Sequence, residues 1–361
     1  MSTPHATSKT NPGKTNPGNF FEDFDVGREF VHATPRTITA GDVAVYNALY
    51  GSRFAVQSSD AFARVIGLPH APVDDLLVFH VVFGKTVPDI SLNAVANLGY
   101  AECLFQKPVY VGDTLAARSV VIGLKENSNG ETGVVYVRTT GRNQHGEIVL
   151  SYVRWVMVRK GRKEAPAPKA VVPQLAESVD PAKLGSSLPK IDATLYDVAL
   201  SGSPYRFGDY TAGEQIDHAD GVTIEEAEHQ LATRLYQNTA KVHFDAFAAR
   251  GTRFGKRLIY GGVVISLARA LSFNGLGNAF KIAAINGGRH VAPLFAGETV
   301  YAATEVLAVA EVPHRKDVGA LRLRTVAAKD AAARLHVPGD GAAGTDENTI
   351  LSLDYWVLLP R

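Results

Sequence analysis

Two stretches of the chain, 76–87 and 258–273, are apolar at nearly every position. A helix that is hydrophobic on most sides is buried, so each stretch predicts a helix at the centre of a folded unit. An amphipathic stretch, 223–236, carries two glutamates early, which suits the N-terminus of a helix. Strand-like segments fill much of the rest, most clearly 114–122, 133–140 and 147–158. The pattern predicts an α+β fold in which antiparallel strands wrap round buried helices.

The chain repeats itself. Residues 21–27 recur as 207–213, residues 60–63 as 245–248, and residues 108–114 as 293–299. The α+β arrangement is therefore predicted twice over. Features that both copies share mostly reflect the fold, whereas a reactive side chain in one copy alone is a candidate for chemistry. His243 is such a residue, because the corresponding stretch of the first copy, around Gln57, has no histidine.

Low-order stretches suggest the domain boundaries. Residues 1–18 contain a tandem Lys-Thr-Asn-Pro-Gly and predict a disordered arm. The first unit is predicted at 19–160 and the second at 194–361. The Pro-, Lys- and Ala-rich stretch 161–193 is predicted to link them, and 336–348 is predicted to form a long loop between the last two strands.

Composition restricts the classes of function. The 361 residues are 46% hydrophobic and 20% charged, with a formal net charge of +1, as expected of a soluble globular protein. There is no basic stripe, so no nucleic-acid partner is expected, and no apolar run is long enough to span a membrane. The single cysteine, Cys103, favours a reducing cytoplasm. No Cys/His cluster or nucleotide-binding glycine loop is present, so neither a metal nor another cofactor is expected.

The second copy carries most of a known catalytic motif. His243 is followed by Gly261-Gly262 at the start of the second apolar stretch, with Tyr260 just before them. In layout and spacing the chain resembles the MaoC-like enoyl-CoA hydratases, whose motif is Asp-x-Asn-Pro-x-His followed by Ala-His-Gly. His243 and Gly261 match this motif. The family aspartate falls on Asn238, and Tyr260 stands where the second histidine is usual.

The resemblance implies a double hot-dog fold, with a non-catalytic first unit and a catalytic second one. It implies a hydro-lyase acting on a small-molecule acyl-CoA thioester. Overall likeness within the family points further to the pair β-methylmalyl-CoA and mesaconyl-CoA. That pair implies a place in carbon assimilation through C5 acyl-CoA intermediates, such as acetate assimilation. The oligomeric state stays open, and a homo-oligomer is compatible with the sequence.

Hydration of an enoyl thioester needs a base for the water and a donor for the enolate oxygen. A histidine transfers protons near neutral pH, so His243 is predicted as the group that acts on water, with Asn238 positioning that water. A backbone N–H at a helix start stabilises an oxyanion, which favours Gly261. The predicted substrate-binding residues lie nearby in sequence or repeat position: Tyr260, Gly262, Lys241, Arg257 and Arg289.

The remaining histidines are predicted to be structural. His32 and His218 align in the repeat and therefore suit the fold. His80, His229, His290 and His314 lack motif support and receive no chemical role. In the first copy, Val78-Phe79-His80-Val81 is aligned with residues 259–262, and this copy is expected to be non-catalytic.

Three alternatives remain from the sequence. The protein could be an (R)-specific enoyl-CoA hydratase acting on other acyl-CoA esters. It could be a hot-dog thioesterase, for which Asp245 is the carboxylate nearest the motif. It could be a non-catalytic acyl-CoA-binding protein. Release of free coenzyme A would separate the thioesterase from the hydratases.

Overall fold

The computed structural model describes residues 12–335 and 348–361. Their strands form one antiparallel sheet made of two equivalent halves. The first half supplies β1 Glu29–Thr37, β2 Ala94–Phe105, β3 Thr114–Glu126, β4 Thr132–Arg142 and β5 Ile148–Arg159. The second supplies β6 Gln215–Thr223, β7 Lys281–His290, β8 Thr299–Glu311, β9 Val318–Lys329 and β10 Thr349–Pro360.

The strand order is β1-β3-β4-β5-β2-β7-β10-β9-β8-β6, so each half has the same internal order and the two meet at β2 and β7. At this junction Cys103 lies opposite Ile285 and Leu104 lies opposite Ala284. The sequence repeat is therefore a structural repeat, and the predicted α+β double hot-dog arrangement is confirmed.

Helices cover the inner surface of the sheet. The first half contains α1 Ala40–Tyr50, α2 Ala55–Ser58, α3 Asp60–Val65 and α4 Asp75–Thr86. The second half contains α5 Val198–Ser201, α6 Glu226–Leu235, α7 Lys241–Phe244, α8 Ala246–Ala249, α9 Gly261–Leu271 and α10 Phe273–Leu276. The two central helices are α4 and α9, the segments predicted from their apolar composition.

Helix α9 begins later than its apolar pattern suggests. The pattern predicts a helix from residue 258, but Ile259 is extended, with its N–H donating to the carbonyl of Leu294 at 3.0 Å. Tyr260 then takes the N-cap position. Periodicity does not distinguish a buried extended residue from a buried helical one. The late start places Gly261 and Gly262 in the first turn.

The central helices contact each other across the two halves. His80 of α4 and Ser266 of α9 are hydrogen-bonded, with His80 Nε2 and Ser266 Oγ 2.9 Å apart. The hydroxyl of Tyr46 in α1 also donates to Ser266 Oγ at 3.1 Å. Residues of both halves thus form one apolar core. The interface between α4 and α9 is lined by residues from both halves.

His32 and His218 occupy equivalent places, as the repeat predicts. His32 Nε2 lies 2.7 Å from Ser119 Oγ in the first half, and His218 Nε2 lies 2.7 Å from Thr304 Oγ1 in the second. Both histidines are buried. This matched placement supports a shared role in the fold.

The segments outside the two units differ in how far the structure describes them. Residues 1–11 of the predicted arm lie outside the described part, whereas the carbonyl of Pro17 accepts a hydrogen bond from Asn93 Nδ2 at 3.1 Å. The predicted linker, 161–193, packs on the sheet: Val171 pairs with Leu124, and Leu188 is buried against the second half. The predicted loop 336–348 lies outside the described residues except for Asn348.

Candidate active site

His243 lies in α7, the short helix between α6 and α9, and is partly buried. Its Nδ1 lies 2.8 Å from the carbonyl oxygen of Leu258. A carbonyl can only accept, so Nδ1 carries the proton and Nε2 keeps its lone pair. Burial lowers the pKa of His243 to about 4, and the bond to Leu258 opposes this shift only in part. At neutral pH the ring is therefore an uncharged base.

The first turn of α9 lies beside this base. The ring of Tyr260, the N-cap residue, is 5.5 Å from the ring of His243 between centroids. The N–H of Tyr260 is already taken, because it donates to His229 Nε2 at 3.0 Å. N–H groups in the first turn of a helix have no acceptor within the helix, so those of Gly261 and Gly262 are the natural donors for an oxyanion here.

The two glycines make room for histidine rings. A Cβ on Gly261 would come within 2.5 Å of His290 Cε1 and Nε2, and one on Gly262 would overlap the rings of Tyr260 and His80. The sequence favours glycine here for the approach of a thioester to the backbone. In the structure the imidazole of His290 fills the space beside Gly261.

Three histidines without a predicted role therefore surround the motif: His80, His229 and His290. Burial lowers the pKa of His80 to about 3, the pKa of His229 to about 3 and the pKa of His290 to about 4. His229 lies 6.3 Å from His243 between ring centroids. Because His229 Nε2 accepts from Tyr260, His229 fixes the start of α9 relative to α6.

The repeat could have identified two of these residues. In repeat alignment His229 corresponds to Val43 and His290 to Phe105, so both histidines belong to the second copy alone, as His243 does. The asymmetry that singled out His243 therefore applies to His229 and His290 as well, although it also applies to His70, His80, His145 and His314.

Asn238 is buried, with 1% of its surface exposed, in the turn that joins α6 to α7. Its backbone N–H donates to the carbonyl of Thr233 at 3.0 Å, and its Oδ1 accepts from the N–H of Ala240 at 3.2 Å. The side-chain oxygen therefore holds the turn that leads to His243. The side-chain NH₂ group and the second lone pair of Oδ1 remain for the proposed contact of Asn238 with water.

The cations nominated from sequence position do not gather round His243. Lys241 is exposed. The guanidinium of Arg257 donates hydrogen bonds to the side chains of Glu226 and Gln230 in α6. Arg289 is exposed and precedes His290 on β7, and since side chains alternate along a strand it points away from the site. A substrate contact of these three side chains therefore stays a prediction.

The corresponding site of the first half is closed by its own side chains. Its helix α4 has Asp74 at the N-cap, so Asp74-Asp75 is the structural counterpart of Tyr260-Gly261. The alignment of residues 78–81 with 259–262 is therefore wrong. Asp75 forms an ion pair with Lys281, and Gln57, the counterpart of His243, donates to the carbonyl of Phe280. The space left between them is about 10 Å³.

The second site borders a wider opening. A cleft of about 390 Å³ lies between the halves and is lined by Phe244, which follows His243, and by Gly84 and Lys85 at the end of α4. Arg234 also lines it. Burial lowers the pKa of Lys85 to about 8, with a contribution from nearby Arg36. The cleft reaches Phe244, the residue that follows His243 in α7.

Two hot-dog units, with a histidine beside the glycine-rich start of one central helix, define the MaoC-like double hot-dog class of proteins. The chain belongs to the mesaconyl-CoA hydratase family, whose model matches residues 7–337.

Curated relatives match over nearly the whole chain. A β-methylmalyl-CoA dehydratase of Chloroflexus aurantiacus is 60% identical over 349 residues, which cover 96% of this chain and 99% of the relative. A mesaconyl-CoA hydratase of Cereibacter sphaeroides is 59% identical over 349 residues and covers 96% of this chain and 100% of its own.

Solved structures agree with the fold. A crystal structure of a MaoC domain dehydratase from Chloroflexus aurantiacus has a TM-score of 0.93 and 59% identity, covering 96% of this chain and 99% of that one. A Mycobacterium tuberculosis protein described as a double hot-dog fold has a TM-score of 0.72 at 24% identity, covering 95% and 99%. The second likeness concerns the fold alone.

Residues 12–335 and 348–361 contain no group of three His, Cys, Asp or Glu side chains placed to hold a metal ion. They also contain no helix that is long and apolar enough to cross a bilayer.

Proposed function

We propose that the protein is a hydro-lyase that interconverts mesaconyl-CoA and β-methylmalyl-CoA by reversible addition of water. The observation that carries the proposal is the neutral imidazole of His243 beside the first turn of α9. Its free Nε2 is a base for water, and the N–H groups of Gly261 and Gly262 are donors for a thioester oxygen. The names and the high identity of the relatives support the choice of substrate.

The reaction balances with these groups alone. His243 Nε2 takes a proton from water, and the hydroxide adds to the β-carbon of the enoyl thioester. The electron pair of the double bond moves to the thioester oxygen, where the α9 N–H groups stabilise the enolate. The imidazolium then returns its proton to the α-carbon. Dehydration is the same sequence in reverse, in which neutral His243 first removes the α-proton.

The first half contributes a wall to this site. The ring of Phe83 in α4 lies 5.8 Å from the ring of Tyr260, and the ring of His80 lies 5.7 Å from it. The acyl group is therefore bound between the two central helices, with the thioester reaching the cleft beside Phe244 and Lys85.

Nothing in the geometry favours a thioesterase. Asp245 Oδ1 accepts from the N–H groups of Phe247 and Ala248, both at 3.0 Å, so this carboxylate serves as the N-cap of α8. A carboxylate held in this way is poorly placed to activate water at a thioester carbonyl.

We place the protein in the cytoplasm. Its single cysteine, Cys103, is a free buried thiol, which is compatible with a reducing compartment. Self-association of the chain is part of the same proposal and is tested by light scattering on the purified protein.

The decisive assay follows the enoyl-thioester absorbance with mesaconyl-CoA and with crotonyl-CoA, while a thiol reagent monitors free coenzyme A. We expect rapid loss of absorbance with mesaconyl-CoA, little with crotonyl-CoA and no release of thiol. A preference for crotonyl-CoA would leave a hydratase with a different substrate. Release of thiol would overturn the hydratase assignment, and binding without turnover would indicate an acyl-CoA-binding protein.

A further inference from the structure

Arg154 is fully buried on the inner face of the first half. It lies on β5 with 0% of its surface exposed, and its guanidinium lies 4.2 Å above the ring centroid of Phe83. Nη2 donates to Thr86 Oγ1 at 2.7 Å and to Ser91 Oγ at 3.4 Å. Nε and Nη1 are buried and have no hydrogen-bond partner in the described part of the chain.

In the described part of the chain, no carboxylate balances this charge. The side chains that act electrostatically on Arg154 are Tyr152, Tyr100 and Tyr260, all uncharged at neutral pH. Within residues 12–335 and 348–361, no Asp or Glu forms an ion pair with it. A buried guanidinium with free N–H groups and no counterion is unfavourable for the folded state. Its presence in the interior indicates that a ligand brings the anion.

Arg154 lies next to the candidate active site. Tyr260 connects the two, since its ring is 5.5 Å from the ring of His243 and 5.8 Å from the ring of Phe83, over which the guanidinium lies. The hydroxyl of Tyr260 is also buried and has no described partner. An acyl group held at the start of α9 thus has His243 on one side and, beyond the ring of Tyr260, the Nε and Nη1 groups of Arg154 on the other.

The repeat shows that the fold does not require this arginine. Trp155 corresponds to Trp356, so Arg154 corresponds to Tyr355. The hydroxyl of Tyr355 lies 3.0 Å from Thr325 Oγ1. In the second half an uncharged side chain therefore occupies the position that Arg154 has in the first. Arg154 therefore occurs in the first half only, just as His243 occurs in the second half only.

We propose that Arg154 binds the free carboxylate of mesaconyl-CoA and β-methylmalyl-CoA, an inference that rests on the proposed function. In both compounds this carboxylate is attached to the carbon that gains or loses the hydroxyl group. A guanidinium bound to it holds that carbon at a fixed distance from His243. Charge-assisted hydrogen bonds in a buried site give both affinity and orientation. The first half thus supplies substrate recognition and the second half supplies the base.

The test uses two substrates that differ only in the group on the β-carbon. Tiglyl-CoA has the α-methyl group and double-bond geometry of mesaconyl-CoA, with a methyl group in place of the carboxylate. We expect Arg154→Met to lower kcat/KM for mesaconyl-CoA by about 10³-fold, since a buried charge pair loses one partner. Its low activity with tiglyl-CoA should change by less than about threefold, and Arg154→Lys should restore part of the loss.

Arg269→Met is the matched control. Arg269 is also buried, in α9, but its guanidinium donates to Ser272 and to the carbonyl of Ala279. Its loss is expected to affect stability without changing the ratio of activities on the two substrates. If a folded Arg154→Met protein keeps the wild-type ratio of the two activities, Arg154 does not bind the carboxylate.

A measurement on the wild-type protein covers the case in which no Arg154 variant folds. Succinyl-CoA and butyryl-CoA are inert and differ only by the terminal carboxylate. We expect succinyl-CoA to inhibit at least about 100-fold more strongly, and a crystal structure of its complex to show the carboxylate on Arg154. A carboxylate bound elsewhere would overturn the inference. Failure of the wild type to hydrate mesaconyl-CoA would instead overturn the proposed function.

Discussion

The imidazole of His290 packs directly against Gly261, so closely that a Cβ on the glycine would lie 2.5 Å from the ring. His290 thereby fixes the end of β7 against the start of α9, beside His243. The Nε2 of His290 is buried and has no partner among the described residues. The pairing explains why the sequence has glycine at a helix start that carries the proposed oxyanion donors.

Gly261→Ala should therefore impair both activity and stability. The added methyl group must displace His290 or α9, which typically costs about 1–3 kcal/mol. Moving the N–H donors should lower kcat by on the order of 100-fold. Both are measured by steady-state kinetics and urea unfolding. Gly208→Ala is the control, because nothing lies within 4 Å of its added Cβ, and it should leave both quantities unchanged. A fully active Gly261→Ala protein would refute the close packing.

His243→Gln should retain the fold and lose hydration. Loss of a general base typically costs about 10²–10⁴-fold in rate, and no other group in the site is proposed to replace it. The glutamine should leave the free energy of unfolding within about 1 kcal/mol, because the side chain is only partly buried and keeps a donor for Leu258. Circular dichroism and the absorbance assay measure the two effects. Substantial hydratase activity in this variant would remove His243 from the mechanism.

The hydration rate should depend on pH through the unprotonated form of His243. Its pKa is lowered to about 4 by burial, so the base is present at neutral pH and is lost only as the pH falls through about 4. We expect kcat/KM for hydration to be level from pH 8 to about 5.5 and to decrease below that. Short assays with stability controls at each pH measure this profile. A decrease of kcat/KM centred near pH 6.5, the ordinary pKa of histidine, would show that the ring of His243 is solvated.

Acid should destabilise the fold through His80 and His229. In the unfolded chain these rings bind protons near pH 6.5, whereas burial lowers their folded-state pKa to about 3. Between these values the unfolded state binds more protons, so stability is fully present above pH 6.5 and is lost as the pH falls towards 3. Each pKa unit corresponds to about 1.4 kcal/mol. Urea unfolding at pH 7.5, 6.0 and 5.0 should show the decline, with a smaller slope in His80→Gln. Substitution of the exposed His145 should leave the slope unchanged.

Asn238 offers a test of what holds the catalytic turn. Asn238→Asp keeps an oxygen that can accept from the N–H of Ala240, whereas Asn238→Ala removes it. We expect the aspartate variant to retain most of the hydration rate and the alanine variant to lose roughly tenfold, the value of one hydrogen bond. Equal rates in the two variants would show that the bond to Ala240 does not position His243.

The fold and the centre of the site could be predicted from the sequence because both depend on regular spacing. Apolar runs identified α4 and α9, and the motif distance joined His243 to Gly261. The direction of side chains was harder to predict. Arg289 and His290 are neighbours in sequence, yet only His290 turns inward on β7. Proximity along the chain therefore does not show which side chain faces the site.

Arg154 shows a different limit of the sequence. It precedes Trp155, which the repeat already aligned with Trp356, so its mismatch with Tyr355 was visible. What the sequence does not display is its burial, or that two of its nitrogens have no partner among the residues that the structure describes. An arginine in a strand is ordinarily read as solvated. Only the packed interior distinguishes a surface charge from a binding group.

The junction between β2 and β7, where Cys103 lies opposite Ile285, joins the two halves in one sheet, and the segment 161–193 joins them in one covalent chain. In a dimer of identical chains, any replacement would appear in both sites at once, and a residue useful in one place would have to be tolerated in the other. A fused chain has no such restriction. One copy could close its own site with Asp75 and Lys281 while the other opened. Fusion thus replaces two identical sites with a single site, to which each half contributes different side chains.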